Sequence, residues 1–437
     1  MKKITFIFTF SLFIFCSCQN QPQTQADEEI IVFELPEGAI PMTYYGKHIY
    51  VELVVDTIKG NFIFDTGADE LYIDDTFYAD NNFKHKYVVA GTSHGVGTQA
   101  EKDQTIFDTI AFSLQDKSYI SDNTVMIDFK EFLGDYADGM IGAYFFKQSV
   151  LEISYEKEYI KIYETIDSVD ITSYEKIPLL RHTYGIGLGY KNTDSLDKTL
   201  NKTIMRSKSY DRFYVPVEVY VDSSLTIKGN YTLDLGSGGS LNLTTQTAKK
   251  YNLDTKVNYK IPYYTIAGGI GGASSDCSFR SDSVRIGNFT LANVTMGYSN
   301  NRTGALSKSS DLGLLGNDIL DRFDIIIDFI NNDLYLKPNA RFGKPYKFST
   351  LGFSYRNRSK TKGVWVVKGF YENCNAEQAG LKMNDEIIKV NGIDVTTVKL
   401  KEETKLLYQS DSLELTLKLD DSLTKTIKFK LDDRPNP

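Results

Sequence analysis

The sequence predicts a mainly β protein, with two duplicated β lobes followed by a small α+β domain. Three observations carry that prediction. Short apolar runs alternate with Gly, Asn and Asp turn signals through residues 40–338, the pattern of many short strands. The stretch Ile58-Lys59-Gly60-Asn61-Phe62-Ile63-Phe64-Asp65 recurs as Ile227-Lys228-Gly229-Asn230-Tyr231-Thr232-Leu233-Asp234, and such self-similarity marks an internal repeat. After Leu336-Lys337-Pro338 the style changes, and a helix signal, an Asp turn and a new set of strands follow.

The leader comes first. Lys2 and Lys3 precede an apolar run over residues 4–15, which ends in Phe15-Cys16-Ser17-Cys18. The run is too short to span a bilayer and reads as a secretory signal over residues 1–18. Its end resembles a bacterial lipobox, which implies lipidation of Cys18 and anchoring without a transmembrane helix. Plain cleavage by an ordinary signal peptidase is the alternative. Residues 19–39 form a tether that opens on the polar, low-complexity Gln19-Asn20-Gln21-Pro22-Gln23-Thr24-Gln25-Ala26.

Composition narrows the classes. The chain has 49 Lys and Arg against 57 Asp and Glu, and losing Lys2 and Lys3 with the leader takes the net charge from −8 to −10. That balance argues against nucleic acid as a partner. Beyond Cys16 and Cys18 only Cys277 and Cys374 remain, in different predicted domains. No disulfide framework is expected, despite the oxidising compartment. Hydrophobic residues make up 41%, with 29 Tyr and 26 Phe, ample for large β cores.

The first lobe spans residues 40–165. Phe62-Ile63-Phe64 runs into Asp65-Thr66-Gly67-Ala68, and Leu71-Tyr72-Ile73 resumes the apolar pattern. This reads as strand, tight turn and return strand, with Gly67 suited to the reversal because it has no Cβ. Flanking apolar strands desolvate Asp65, and a buried aspartate is costly unless it is hydrogen-bonded, paired or put to use. The second lobe, residues 213–338, repeats the turn as Asp234-Leu235-Gly236-Ser237. Gly139-Met140-Ile141-Gly142 in the first lobe matches Gly313-Leu314-Leu315-Gly316 in the second.

These paired motifs resemble those of retropepsin-like and pepsin-like aspartic proteases, over roughly residues 45–337. The resemblance implies two β lobes of the acid-protease type with catalytic Asp65 and Asp234 meeting between them. Thr66, Gly67, Ala68, Leu235, Gly236 and Ser237 would support the two turns, with the Gly142 and Gly316 segments passing beneath. Two carboxyls that close share one proton. One takes a proton from a bridging water while the other protonates the peptide carbonyl. The implied activity is that of a single-chain aspartic endopeptidase with no cofactor and no metal. One residue departs from the pattern: the family usually has Thr or Ser where Leu235 stands. Thr66 can brace the opposing turn through its hydroxyl and Leu235 cannot. A buried N–H left unpaired there would cost ~1–3 kcal/mol unless water replaces the hydroxyl.

Each lobe also carries a glycine-rich stretch, Ala90-Gly91-Thr92-Ser93-His94-Gly95-Val96-Gly97 and Ile266-Ala267-Gly268-Gly269-Ile270-Gly271-Gly272. They read as a pair of flaps that close over a bound peptide and exclude water, with Gly91, His94, Gly95, Gly97, Gly268, Gly269 and Gly271 in them. Mobile surface hairpins are the plainer alternative. Residues 166–212 connect the lobes, and 192–209 reads as a polar surface insertion. Asp69 and Glu70 read as a solvated turn or a subsite wall.

Residues 346–433 form the last domain. Leu351-Gly352-Phe353-Ser354, Gly363-Val364-Trp365-Val366-Val367 and the stretch from Ala379-Gly380-Leu381 to Asn391-Gly392 resemble a PDZ domain. PDZ domains take a peptide as an added edge strand. The resemblance places Leu351, Gly352 and Phe353 in the loop that holds the peptide carboxylate and implies a C-terminal peptide as a partner. A domain that only packs against the lobes is the alternative.

His48, His85, His94 and His182 show no His-Glu-x-x-His spacing, so no metal site is expected. Two functions stay open. One is an exported, envelope-anchored aspartic endopeptidase of the outer membrane that acts on extended peptides or proteins. The other is a catalytically impaired peptide-binding lipoprotein that uses the same cleft and groove. Asp234 favours the first and Leu235 the second.

Overall fold

The computed structural model describes residues 34–437, except 86–87, 94, 100, 107, 191–203, 268, 308–310, 421 and 434–437. The leader with Cys18, most of the tether, His94 and Gly268 therefore lie outside the described residues. Residues 35–437 form one compact unit. Among the described residues the strands are arranged in two sheets of 15 strands each, so the mainly β expectation holds.

The first half begins as a meander of β1 (Ile40–Tyr45), β2 (His48–Val55) and β3 (Ile58–Asp65). Along β2, Ile49, Val51, Leu53 and Val55 are buried on one side, the period-2 pattern of a strand laid on a core. β4 (Leu71–Asp74) returns from the Asp65 turn. β5 (Val88–Ser93) and β6 (Glu101–Ile106) make a hairpin, followed by the short helix α1 (Lys130–Leu133). β7 (Gly139–Gly142) then lies parallel to β3, with Gly142 opposite Asp65, and antiparallel to β4.

β8 (Val150–Ser154) leads to the connection between the halves, a long hairpin of β9 (Leu180–Tyr190) and β10 (Ile204–Asp222). Of the stretch read as a polar insertion, 192–203 lies outside the described residues and 204–209 belongs to β10. The second half repeats the first. β11 (Leu225–Leu233) leads into the Asp234 turn, and β12 (Leu241–Leu243) returns from it. After β13 (Lys260–Ala267), β14 (Gly313–Leu315) lies parallel to β11 and antiparallel to β12. β15 (Phe323–Asp328) pairs antiparallel with β8, Val150 opposite Asp328, and joins the halves. One apolar core runs through both, including Phe64, Leu71, Ile141, Leu233, Leu241 and Leu315.

The C-terminal segment has a separate core around Trp365, Phe370, Ile387 and Leu413. It contains β16 (Phe353–Arg358), β17 (Val364–Tyr371) and the helix α2 (Glu403–Leu407). β17 pairs with β13, Tyr263 opposite Tyr371, so the second sheet continues from the second half into this segment. Cys277 and Cys374 are buried free thiols. No helix among the described residues is long and apolar enough to cross a membrane.

Candidate active site

The two Asp-x-Gly turns face each other. A Cβ at Gly67 would fall 2.7 Å from the Asp234 carboxyl carbon, and one at Gly236 would overlap the Asp65 carboxyl. Only glycine leaves room at either place. Asp65 accepts from the N–H groups of Gly67 (2.6 Å) and Ala68 (3.2 Å), and Asp234 accepts from Gly236 (3.0 Å). The two carboxyls hydrogen-bond each other. They are 9% and 8% exposed.

The Gly142 and Gly316 segments hydrogen-bond to the two turns. Gly142 N–H donates to Glu70 O (2.8 Å) and Ala143 N–H to Ala68 O (2.9 Å). In the second half Gly316 N–H donates to Ser240 O (2.9 Å) and Asn317 N–H to Ser237 O (2.8 Å). Thr66 reaches across between the halves. Its hydroxyl donates to Leu233 O (2.8 Å) and accepts from Leu235 N–H (3.0 Å). Leu235 returns no hydroxyl; its side chain sits in the core. The second turn is held from behind instead, by Asn317 Nδ2 on Leu235 O (2.6 Å), with Tyr155 Oη donating to Asn317 Oδ1 (2.8 Å).

Burial pushes the Asp65 carboxyl up, while the Gly67 N–H, the hydrogen bond from Asp234 and the Arg212 charge pull it back. Asp234 is held well above the usual range, first by burial and then by the charge of Asp65. Both carboxyls are raised, Asp234 the further, so the pair is set up to share one proton.

Arg212, on β10, was not singled out by the sequence reading. Its guanidinium donates to Gly67 O and Tyr184 Oη (2.9 Å) and lies 3.4 Å from Asp69 Oδ1. Its charge favours the ionised form of both Asp65 and Asp234. Tyr72 of β4 is half-buried, and the charges of Asp69, Glu70, Asp65 and Arg212 act on its hydroxyl. Arg212→Met should therefore raise both carboxyl pKa values. If the dyad turns over peptide, both limbs of its pH–rate profile should move to higher pH, by about one pH unit. Arg212→Lys should restore part of the shift, and a profile unchanged in the Met variant would dismiss this role.

His48 was counted only as a non-ligand. It is half-buried, hydrogen-bonds the Gly236 backbone, and is pushed down to about 4 by desolvation and by the Arg356 charge. It is a neutral prop for the second turn. Glu70 corrects an expectation: it is not solvated. It accepts from Tyr210 and from Lys208 (2.9 Å), and Lys208 also pairs with Asp122. Lys208 lies at the far end of the stretch read as a surface insertion, yet its ammonium is buried against the first half.

The glycine-rich tips interlock. Gly97 N–H donates to Ile270 O (3.0 Å) and Gln99 N–H to Gly271 O (3.0 Å). A Cβ at Gly269 would meet Val96 at 3.2 Å, and Gly95 O accepts from Ala305 N–H (2.8 Å). Gly91 lies within β5, opposite Asp103. The sequence from Gly91 to Gly95 spells Gly-x-Ser-x-Gly, but its Ser93 ends β5, which pairs with β6, and among the described residues no helix follows as an elbow requires. The Ser93 hydroxyl there goes to Asp103.

In the C-terminal segment, Leu351 and Phe353 are buried in the local core, and Gly352, at φ 81°, packs against Cys374. Tyr355 Oη and Asn357 Nδ2, from β16, donate to Glu403 on α2 (2.8 and 2.6 Å). One acidic cluster, Asp74, Asp75 and Asp128, brings oxygens within 4.8 Å of one another. Asp74 already accepts from Lys130 Nζ and from the backbone N–H groups of Phe77 and Phe129, the bonding of a structural hub.

No protein-family model and no curated protein matches the chain. Among solved structures it is similar to a PDZ domain protein from Parabacteroides distasonis. Identity is 34% over 20% of this chain and 20% of that one, with a TM-score of 0.18. The likeness is weak and partial, and spans a fifth of that protein's length.

Proposed function

We propose that this chain is an aspartic-type endopeptidase, exported and held at the cell envelope through Cys18. The observation that carries the reading is the pair of apposed turns. Each glycine packs on the opposite carboxyl, and the two carboxyls share a hydrogen bond. In the proposed reaction Asp65, ionised, takes a proton from a water between the carboxyls. The resulting hydroxide adds to the peptide carbonyl carbon as Asp234 gives its proton to the carbonyl oxygen. Collapse of the tetrahedral intermediate breaks the C–N bond. Asp65 returns its proton to the leaving amine, and Asp234 regains one from the intermediate's hydroxyl.

The closed tips would exclude water once a peptide is bound and must part to admit it. The C-terminal segment serves, in this reading, as a PDZ-type peptide-docking unit. Absence of the hydroxyl at Leu235 favours a second reading, a peptide-binding lipoprotein with an impaired dyad. The deciding experiment incubates a diverse peptide library with protein lacking residues 1–18, from acid to neutral pH, and identifies products by mass spectrometry. Cleavage is expected. Peptide binding without cleavage at any pH would establish the second reading.

A further inference from the structure

The edge of β16 is already in use. In the β16–β17 pair Asn357 lies opposite Trp365. On its other side Asn357 O accepts from Asp135 N–H of the first half (2.7 Å). Gly134, at φ 81°, lies so close that a Cβ there would fall 2.6 Å from the same oxygen. Around this backbone contact most charges are arranged in one sense, Lys130 of the first half and Glu386 of the C-terminal segment being the exceptions. Asp135 and Glu131 belong to the first half; the cations belong to the C-terminal segment. Arg358 binds Asp135 (2.9 Å) and Glu131 (2.7 Å), and Lys368 and Lys362 converge on Glu131 (2.9 and 3.4 Å). Thr361 N–H and Oγ1 complete the hold on Asp135 (2.7 Å each). A cavity of about 190 Å³, lined in part by Arg356, Arg358, Lys362 and Lys368, opens beside Glu131.

The same segment is tied to the second half. β17 pairs with β13, and Glu372 N–H donates to Pro262 O (2.8 Å). β13 leads into the tip that binds Gly97 and Gln99. The contacts form a ring: first half, C-terminal segment, β13, tip, opposing tip, first half. Asp135 and Glu131 thus hold the segment with which β13 pairs.

We propose that the edge of β16, with the cations around it, is a docking site for an extended acidic peptide, that Gly134, Asp135 and Glu131 of this chain occupy it in the closed state, and that exchange of one for the other lets the tips part. An added strand satisfies the edge as Asp135 does now. An acidic peptide restores the pairs that Arg358, Lys362 and Lys368 would lose. The chain's net charge of −8 repels such a peptide elsewhere. The inference rests on the peptide-docking reading of the C-terminal segment and not on the dyad being hydrolytic.

The test uses the full chain in detergent, fluorescein-labelled oligoglutamate, and oligoglutamine as control. Oligoglutamate should bind Glu131→Gln/Asp135→Asn roughly tenfold more tightly than the parent, and Lys362→Met/Lys368→Met should bind roughly tenfold more weakly. Bound oligoglutamate should speed hydrogen exchange at Gly97 and Gln99 by a similar factor, with exchange in Phe323–Asp328 unchanged. Oligoglutamine should do neither. If the first variant fails to fold, exchange in the parent titrated with oligoglutamate decides. No binding, binding indifferent to the two lysines, or binding without faster exchange at the tips would each overturn the proposal.

Discussion

Asp65→Asn and Asp234→Asn should each lower peptide turnover by roughly 10²–10⁴-fold while leaving the fold in place. The two variants are not equivalent. In the proposed mechanism Asp234 carries the shared proton, so an asparagine in its place keeps the shape and neutrality of that group but cannot give the proton up. On the proposed mechanism, an asparagine in place of Asp65 removes the base itself. Stability separates them further. The folded pKa of Asp234 lies above its unfolded value, so its contribution to stability is fully present below the unfolded pKa. It is lost as pH rises through the folded pKa. Asp234→Asn abolishes that dependence, and denaturation midpoints of this variant should fall less than the parent's from mildly acid to neutral pH. Parent-like turnover in either variant would rule out a working dyad. An unchanged pH dependence of stability in Asp234→Asn would place the proton elsewhere.

How much of this was legible in the sequence depends on how local the physics is. Asp65 and Asp234 stand out because each lies in a local strand–turn pattern and the pattern occurs twice. Gly142 and Gly316 follow from the same repeat, and close backbone approach explains why both are glycine. The glycine-rich tips announce themselves by composition, but not their interlock, which depends on the register of two distant hairpins. Arg212 is hidden for the same reason. Its partner Gly67 lies 145 residues away, and nothing around Arg212 distinguishes it from a surface arginine on a polar connection. Glu70 was misread because burial by β10 is not encoded next to it. Asn317 was within reach: it directly follows Gly316, at the place where Ala143 follows Gly142 in the first half. The docking of β16 on Asp135 joins residues more than two hundred positions apart and has no periodic signature.

Thr66→Val should destabilise the protein by about 2–4 kcal/mol and lower turnover by up to roughly 10²-fold. Valine keeps the shape of threonine and removes only the hydroxyl. In the buried contact between the halves that hydroxyl satisfies two backbone groups, Leu233 O and Leu235 N–H. Water has little access there, since Thr66 and Leu235 are both buried, so the N–H would be left without a partner. The loss falls at the dyad because Thr66 adjoins Asp65 and Leu235 adjoins Asp234. A slackened brace moves the carboxyls relative to each other. The second half offers no substitute hydroxyl at Leu235, so this chain relies on one brace where a symmetric arrangement would have two. Thr66→Ser retains both hydrogen bonds and should remain near the parent in denaturation and in turnover. If Val were as stable and as active as Thr, the hydroxyl would not be what holds the turns in register, and the Asn317 contact behind Leu235 would be the brace to test next.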